Sequence, residues 1–302
     1  MQNWNDIYFT SRDGLRLYAR HYPVPGSQRR PTVCLAGLTR NCRDFHDLAT
    51  ALSTQDNDGR DVYAIDYRGR GRSQHDPDWK NYSILVELND VLDFMTMKCL
   101  HRAAVIGTSR GGLITMLMGV LRPSALGAVV LNDIGPVIER EGLARIVAYV
   151  GRVPLPANWE EATALVAEMN RRQFTGVAAE QWAEFARQVF SDEHGLPAPA
   201  YDPNLSKAIT VMGSAAPELW PQYAALSHVP LLAIRGENSD ILSAKTLAEM
   251  GARHPRFEAV SVRGQGHAPL LKDAPTINAV RRFLARTDAD LLTASAQAAA
   301  VA

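Results

Sequence analysis

The sequence predicts an α/β fold in which a mostly parallel eight-stranded sheet carries helices on both faces and an inserted helical cap. Eight short stretches, at 7–10, 15–21, 32–38, 61–67, 103–107, 128–133, 231–235 and 257–262, are apolar runs or alternate apolar with polar residues. Apolar residues at helical spacing lie between the later ones, and such alternation of strand and helix builds a parallel sheet buried on both sides. After Pro136 the alternation stops, and no strand pattern returns until Val229-Pro230-Leu231.

Taken in order, the first two stretches flank Arg12-Asp13-Gly14, a turn sequence, and so form a hairpin. The stretches at 32–38 and 61–67 read as the next two strands. Ser83 then stands as N-cap before Ile84, Leu88, Val91, Leu92 and Met95, which share one helix face. Strand 103–107 ends on a glycine, and 128–133 follows it. Within the interruption, patterns around 142–150, 160–172 and 180–190 are helical, and 195–203, rich in proline and glycine, reads as a loop. From residue 285 the chain becomes alanine-rich with few apolar anchors. The expected division is a core of 1–136 and 227–286, a helical cap of 137–226 and a flexible tail of 287–302.

With 302 residues, 46% of them hydrophobic, the chain can bury a large core. Lysine plus arginine and aspartate plus glutamate both number 32, so no net field draws nucleic acid or an anionic membrane. Met1-Gln2-Asn3-Trp4-Asn5-Asp6 has no apolar signal segment, and no uncharged apolar run is long enough to span a bilayer. These features predict a soluble, cytoplasmic protein acting on a small molecule, with no nucleic-acid or membrane partner. Cys34, Cys42 and Cys99 lack paired spacing and suit reduced thiols, Cys34 in the core. The eight histidines show no metal-ligand spacing, so neither a metal nor a cofactor is expected.

Gly107-Thr108-Ser109-Arg110-Gly111 lies directly behind the apolar run 103–106 and ahead of a helical pattern. A serine between two glycines at a strand-to-helix turn is a nucleophile elbow: the glycines leave room for a tight turn and the hydroxyl is held exposed. A hydroxyl needs an imidazole to take its proton. His267, in the glycine loop Gly264-Gln265-Gly266-His267 after the last strand, is the candidate base. The imidazole needs a carboxylate on its other nitrogen. Asp240, in the loop following strand 231–235, is the first choice, with Glu237 beside it and Asp133 at the end of the preceding strand as competitors.

Ser109, Asp240 and His267 stand in the serine, acid, histidine order of the α/β-hydrolase family, which the chain resembles from about residue 7 to 284. Asp66-Tyr67-Arg68-Gly69-Arg70-Gly71-Arg72-Ser73 is similar to that family's turn after the fourth strand, so Gly69 and Gly71 belong to a turn and not to a dinucleotide fingerprint. The resemblance implies that the backbone N–H groups of Leu38 and Arg110 form the oxyanion hole, although Ala36 stands where many relatives have histidine. A serine nucleophile implies an acyl-enzyme, and the expected reaction is hydrolysis of a carboxylic ester or lactone. Alternatives are C–C hydrolysis of a dicarbonyl compound, cofactor-free perhydrolysis, and ligand binding with little turnover. Arg40 and Arg110 are candidates to hold a substrate carboxylate, or else form structural ion pairs. Trp182 and Phe185 are candidate pocket residues in the cap, although a stripe at helical spacing also packs one helix on another.

Overall fold

The computed structural model describes residues 3–54, 59–212 and 217–301. Met1 and Gln2 of the N-terminal stretch, residues 213–216 of the expected cap and Ala302 of the expected tail lie outside the described residues. Strands β1 (Asn5–Thr10) and β2 (Arg16–Tyr22) form the predicted antiparallel hairpin. There follow β3 (Thr32–Leu35), α1 (His46–Ser53), β4 (Val62–Asp66), α2 (Ile84–Met97), β5 (Ala103–Thr108), α3 (Arg110–Leu121) and β6 (Leu126–Asn132). Ser83 caps α2 through its side chain, accepting from the Val86 N–H. The segment expected to form a cap contains α4 (Arg140–Tyr149), α5 (Trp159–Asn170), α6 (Ala179–Val189), β7 (Phe190–Glu193), β8 (Leu196–Pro199) and α7 (Leu205–Met212). Then come α8 (Trp220–Ala224), β9 (Leu231–Gly236), α9 (Ala244–Arg253), β10 (Phe257–Val262) and α10 (Ala274–Val301).

Eight strands form one sheet in the order β1-β2-β4-β3-β5-β6-β9-β10, antiparallel only where β2 meets β1 and β4. Alternate residues feed two cores, one on each face. Val33, Leu35, Val105, Val129, Leu131 and Ala233 meet Leu88, Val91 and Phe94 of α2 and Ile114 of α3. Their neighbours Cys34, Ala104, Ile106, Val130 and Ile234 meet Leu48 and Leu52 of α1 and Val280, Phe283 and Leu284 of α10. The period of two along each strand is thus what places helices on both faces.

Three expectations change. Strand β3 stops at Leu35, because Gly37 opens a turn closed by the Arg40 N–H on the Gly37 carbonyl at 3.1 Å. The expected loop at 195–203 contains half of a hairpin, since β7 and β8 pair antiparallel from Phe190 opposite Pro199 to Glu193 opposite Leu196. The segment 287–302, expected to be a flexible tail, continues α10 as far as Val301. Its anchors are polar: Asp288 is buried and bonded to Arg60 at 2.9 Å, and Arg30 donates to the Thr287 carbonyl at 3.1 Å. Among the described residues no helix is long and apolar enough to cross a membrane.

Candidate active site

Ser109 joins the end of β5 to the start of α3 with φ 50° and ψ −110°, a strained conformation for a residue with a side chain. The turn is feasible because both flanking positions lack Cβ. A Cβ on Gly107 would lie 2.5 Å from the Gly111 backbone, and one on Gly111 would lie 2.1 Å from the Leu35 carbonyl oxygen. Strand, helix and β3 therefore close tightly around the serine, and its hydroxyl is left facing a cavity.

His267 reaches that hydroxyl from the loop after β10, with Nε2 2.9 Å from Ser109 Oγ. Its loop is tied to the sheet by Asn132, which donates to the Pro269 carbonyl at 3.0 Å and to Thr108 Oγ1 at 3.1 Å. The other nitrogen, Nδ1, lies 2.8 Å from Asp133 Oδ2. An ionised carboxylate only accepts, so Nδ1 carries the proton and Nε2 accepts from the serine. Asp133 is fully buried, and it also accepts from the Gly236 N–H at 2.7 Å and Ser239 Oγ at 2.5 Å.

Asp240, the expected acid, is engaged elsewhere, which corrects the sequence reading. Its two oxygens take a bidentate fork from Arg145 of α4, with Nε at 2.7 Å and Nη2 at 2.9 Å. Burial, the largest cause, raises the pKa of its carboxyl, but the Arg145 fork, a hydrogen bond from Gln173 and the charge of His267 together leave it below its ordinary value. Glu237 accepts from the Gly264 N–H at 2.9 Å and so shapes the histidine loop from below. The residue bonded to His267 is the competitor from the neighbouring strand.

The two amides expected at the oxyanion hole are each aimed by the carbonyl that shares their peptide plane. The Ser109 carbonyl accepts from Gly112 N–H at 2.9 Å and Leu113 N–H at 3.2 Å, which fixes the plane carrying the Arg110 N–H. The Gly37 carbonyl accepts from Arg40 N–H at 3.1 Å and fixes the plane carrying the Leu38 N–H. In a trans peptide the N–H points opposite to its C=O.

Above Ser109 lies a cavity of about 490 Å³ between the ends of the sheet and the segment after β6, lined by Leu38 and His267 below and by Tyr149, Phe174, Phe185 and Tyr201 above. Phe185, a candidate pocket residue, lines the cavity. Trp182 is not among the lining residues; it is 9% exposed and packs edge-on against Phe174 and Phe185 in the cap's own core. Arg40 lines the cavity but forks onto Asp44 at 2.8 and 2.5 Å, its guanidinium 4.6 Å from the Phe185 ring centroid. The Arg110 side chain turns away from the cavity to Glu87. Both arginines are thus paired with carboxylates of the protein. Arg145, which also lines the cavity, went unnoticed in the sequence because its partner Asp240 stands 95 positions away. Among the described residues no three histidine, cysteine or carboxylate side chains converge as a metal site.

A family model described as "Alpha/beta hydrolase family" matches residues 32–279. The chain is 33% identical over 279 residues to a 3-hydroxybutyrate-oligomer hydrolase from Cupriavidus necator, an alignment covering 89% of this chain and 93% of that one. It is 26% identical over 231 residues to a 2-(acetamidomethylene)succinate hydrolase from Mesorhizobium japonicum, covering 76% and 79% of the two chains. An alpha/beta hydrolase structure from Novosphingobium aromaticivorans superposes with a TM-score of 0.88 at 39% identity, over 95% of this chain and 99% of that one. Sheet order, elbow and family model agree, and the chain belongs to the alpha/beta hydrolase family.

Proposed function

We propose that the chain hydrolyses carboxylic esters through an acyl-enzyme on Ser109, with Asp133 and not Asp240 as the acid of the triad. The observation that carries this reading is the unbroken hydrogen-bonded line Ser109 Oγ, His267, Asp133 at the floor of the cavity. Ser109 Oγ attacks the ester carbonyl while Nε2 takes its proton, and Asp133 stabilises the imidazolium that forms. The carbonyl oxygen becomes an oxyanion received by the N–H groups of Leu38 and Arg110. Collapse breaks the bond to the alcohol oxygen, which leaves with the proton from His267. Water, deprotonated by the same imidazole, then releases the acid and restores the hydroxyl.

The cavity wall is largely apolar, and its guanidinium groups at positions 40 and 145 already hold aspartates. That favours an ester whose neighbouring parts are aliphatic or carry neutral carbonyls over a free dicarboxylate. The interior of a short hydroxyacid oligoester has this character, in keeping with the named activity of the relative from Cupriavidus necator. The test is labelling with a fluorophosphonate, location of the modified residue, and turnover of aryl esters, lactones and 3-hydroxybutyrate oligomers by the native protein and Ser109→Ala. Labelling at Ser109 with turnover lost in the variant supports the reading. Label elsewhere, affinity without turnover, or activity confined to C–C bonds of a dicarbonyl compound overturns it.

A further inference from the structure

Three buried ionic groups join the oxyanion loop to the elbow. Arg70, in the turn after β4, is fully buried and donates from Nε to the Leu38 carbonyl at 2.9 Å. Its Nη1 donates to Glu87 Oε1 at 2.6 Å and to the Arg68 carbonyl at 2.7 Å. The other oxygen of Glu87 takes Nε of Arg110 at 2.5 Å, and Arg110 Nη2 donates to the Tyr82 carbonyl at 3.1 Å. Thus one carboxylate on α2 holds two guanidinium groups, one gripping the residue that follows Gly37 and the other belonging to the residue that follows the nucleophile. The same turn also meets the cap: Gly71 N–H donates to the Ala200 carbonyl and Asp202 N–H to the Gly69 carbonyl, each at 2.8 Å, beside cavity residues Ala200 and Tyr201.

We propose that the Arg70, Glu87, Arg110 bridge is a positioning device that presets the spacing of the two oxyanion amides, with Arg70 as its specificity-neutral key residue. This rests on the serine-hydrolase reading above. Burying three charges is costly unless each is satisfied, and Coulomb attraction alone seldom stabilises a fold more than apolar packing does. A geometric role explains why these charges stand behind an oxyanion hole, where small displacements of a donor are costly to rate. Arg70 touches no reacting atom; it holds the Leu38 carbonyl, one peptide beyond the plane that carries the Leu38 N–H, and so acts on that amide through the Leu38 backbone.

The experiment compares Arg70→Lys with Arg68→Lys, measuring kcat, KM, melting temperature and inhibition by an aryl trifluoromethyl ketone. The ketone forms a hemiketal with serine whose oxyanion occupies the hole. Lysine keeps a positive charge beside Glu87 but offers one nitrogen where the arginine fork offers separate ones. Arg68 lies in the same turn and is equally buried, on Asp76 and Asp90, so it controls for stability. For Arg70→Lys, kcat should fall roughly 10- to 100-fold and the ketone inhibition constant rise in step, with KM within about twofold. Arg68→Lys should lower the melting temperature and leave both unchanged.

If Arg70→Lys loses stability alone, or if both variants lose kcat equally, the bridge is structural and the proposal fails. Should Arg70→Lys not fold, the native protein crystallised with the ketone decides. A hemiketal oxygen on the Leu38 and Arg110 amides with the bridge intact supports it, and an oxygen turned elsewhere overturns it. A native protein that turns over no ester and forms no adduct refutes the serine-hydrolase reading instead.

Discussion

The loops after β6 and β9 lie side by side, and each offers an aspartate toward the histidine loop. Asp133 is enclosed at the carboxyl end of interior strand β6, where a backbone amide, a serine hydroxyl and the imidazole all donate to it. Asp240, six residues beyond the point where β9 pairs with β6, is instead claimed by a cationic fork from the cap. Chain order does not separate the two, because parallel neighbours deliver their carboxyl ends to the same place. What separates them is the partner. A carboxylate already paired bidentately with arginine has its lone pairs committed, while one held only by neutral donors and a histidine keeps its charge for the imidazolium.

Exchanging the amide for the acid at each site breaks this comparison most sharply. Asp133→Asn should lower kcat/KM on an ester by about four orders of magnitude, since an amide fixes the wrong imidazole tautomer. Asp240→Asn should change it by less than about threefold. Steady-state kinetics on both variants decide, and the opposite ranking would return the acid to Asp240. Ser239→Ala sharpens the same contrast from the other side, for its hydroxyl donates to Asp133 while accepting from the Ile241 and Leu242 N–H groups of the Asp240 loop. A hydrogen bond to a charged group lost without replacement predicts a fall in kcat of about tenfold at unchanged KM. An unaffected kcat would mean that the Gly236 amide alone is enough to hold the carboxylate.

Much of this was legible before any coordinates. Strands β3 to β6 are fully buried apart from Thr108, and they read as apolar runs for that reason. The hydrogen-bonded pair Ser109 and His267 was picked out by its glycines, Gly107 and Gly111 on either side of the serine and Gly264 and Gly266 ahead of the histidine. Which aspartate meets His267 was not legible, because Arg145, the charge that takes up Asp240, stands 95 residues before it. The hairpin of β7 and β8 was hidden by brevity and by Pro197 and Pro199, which give no strand signal. Helix α10 runs past its apolar residues, and at Asp288 it is held by Arg60, a pairing that hydrophobic periodicity does not carry.

The Arg145 fork itself sets the smallest expected effect, on the stability of the cap against the core. Both side chains are partly exposed, so the pair is worth about 1 kcal/mol or less. Its pH dependence has a definite sign. Asp240's carboxyl lies below its ordinary value of 3.8, through Arg145 with help from Gln173 and His267 against burial, so the folded state holds its proton less tightly than the unfolded chain does. The stabilisation is therefore fully present above about pH 5 and is lost as the pH falls through the ordinary value toward the lower folded one. Thermal melts of the native protein and of Arg145→Met/Asp240→Asn should differ by about one to two degrees at neutral pH and converge only once the pH has fallen below the carboxyl's lowered folded value. Replacing both partners removes the pair without leaving an unpaired charge, so the difference reads the fork and not a buried ion. A gap that persists undiminished in acid would assign the effect to packing of the two side chains, and Asp240's separation from the triad would then owe nothing to its charge.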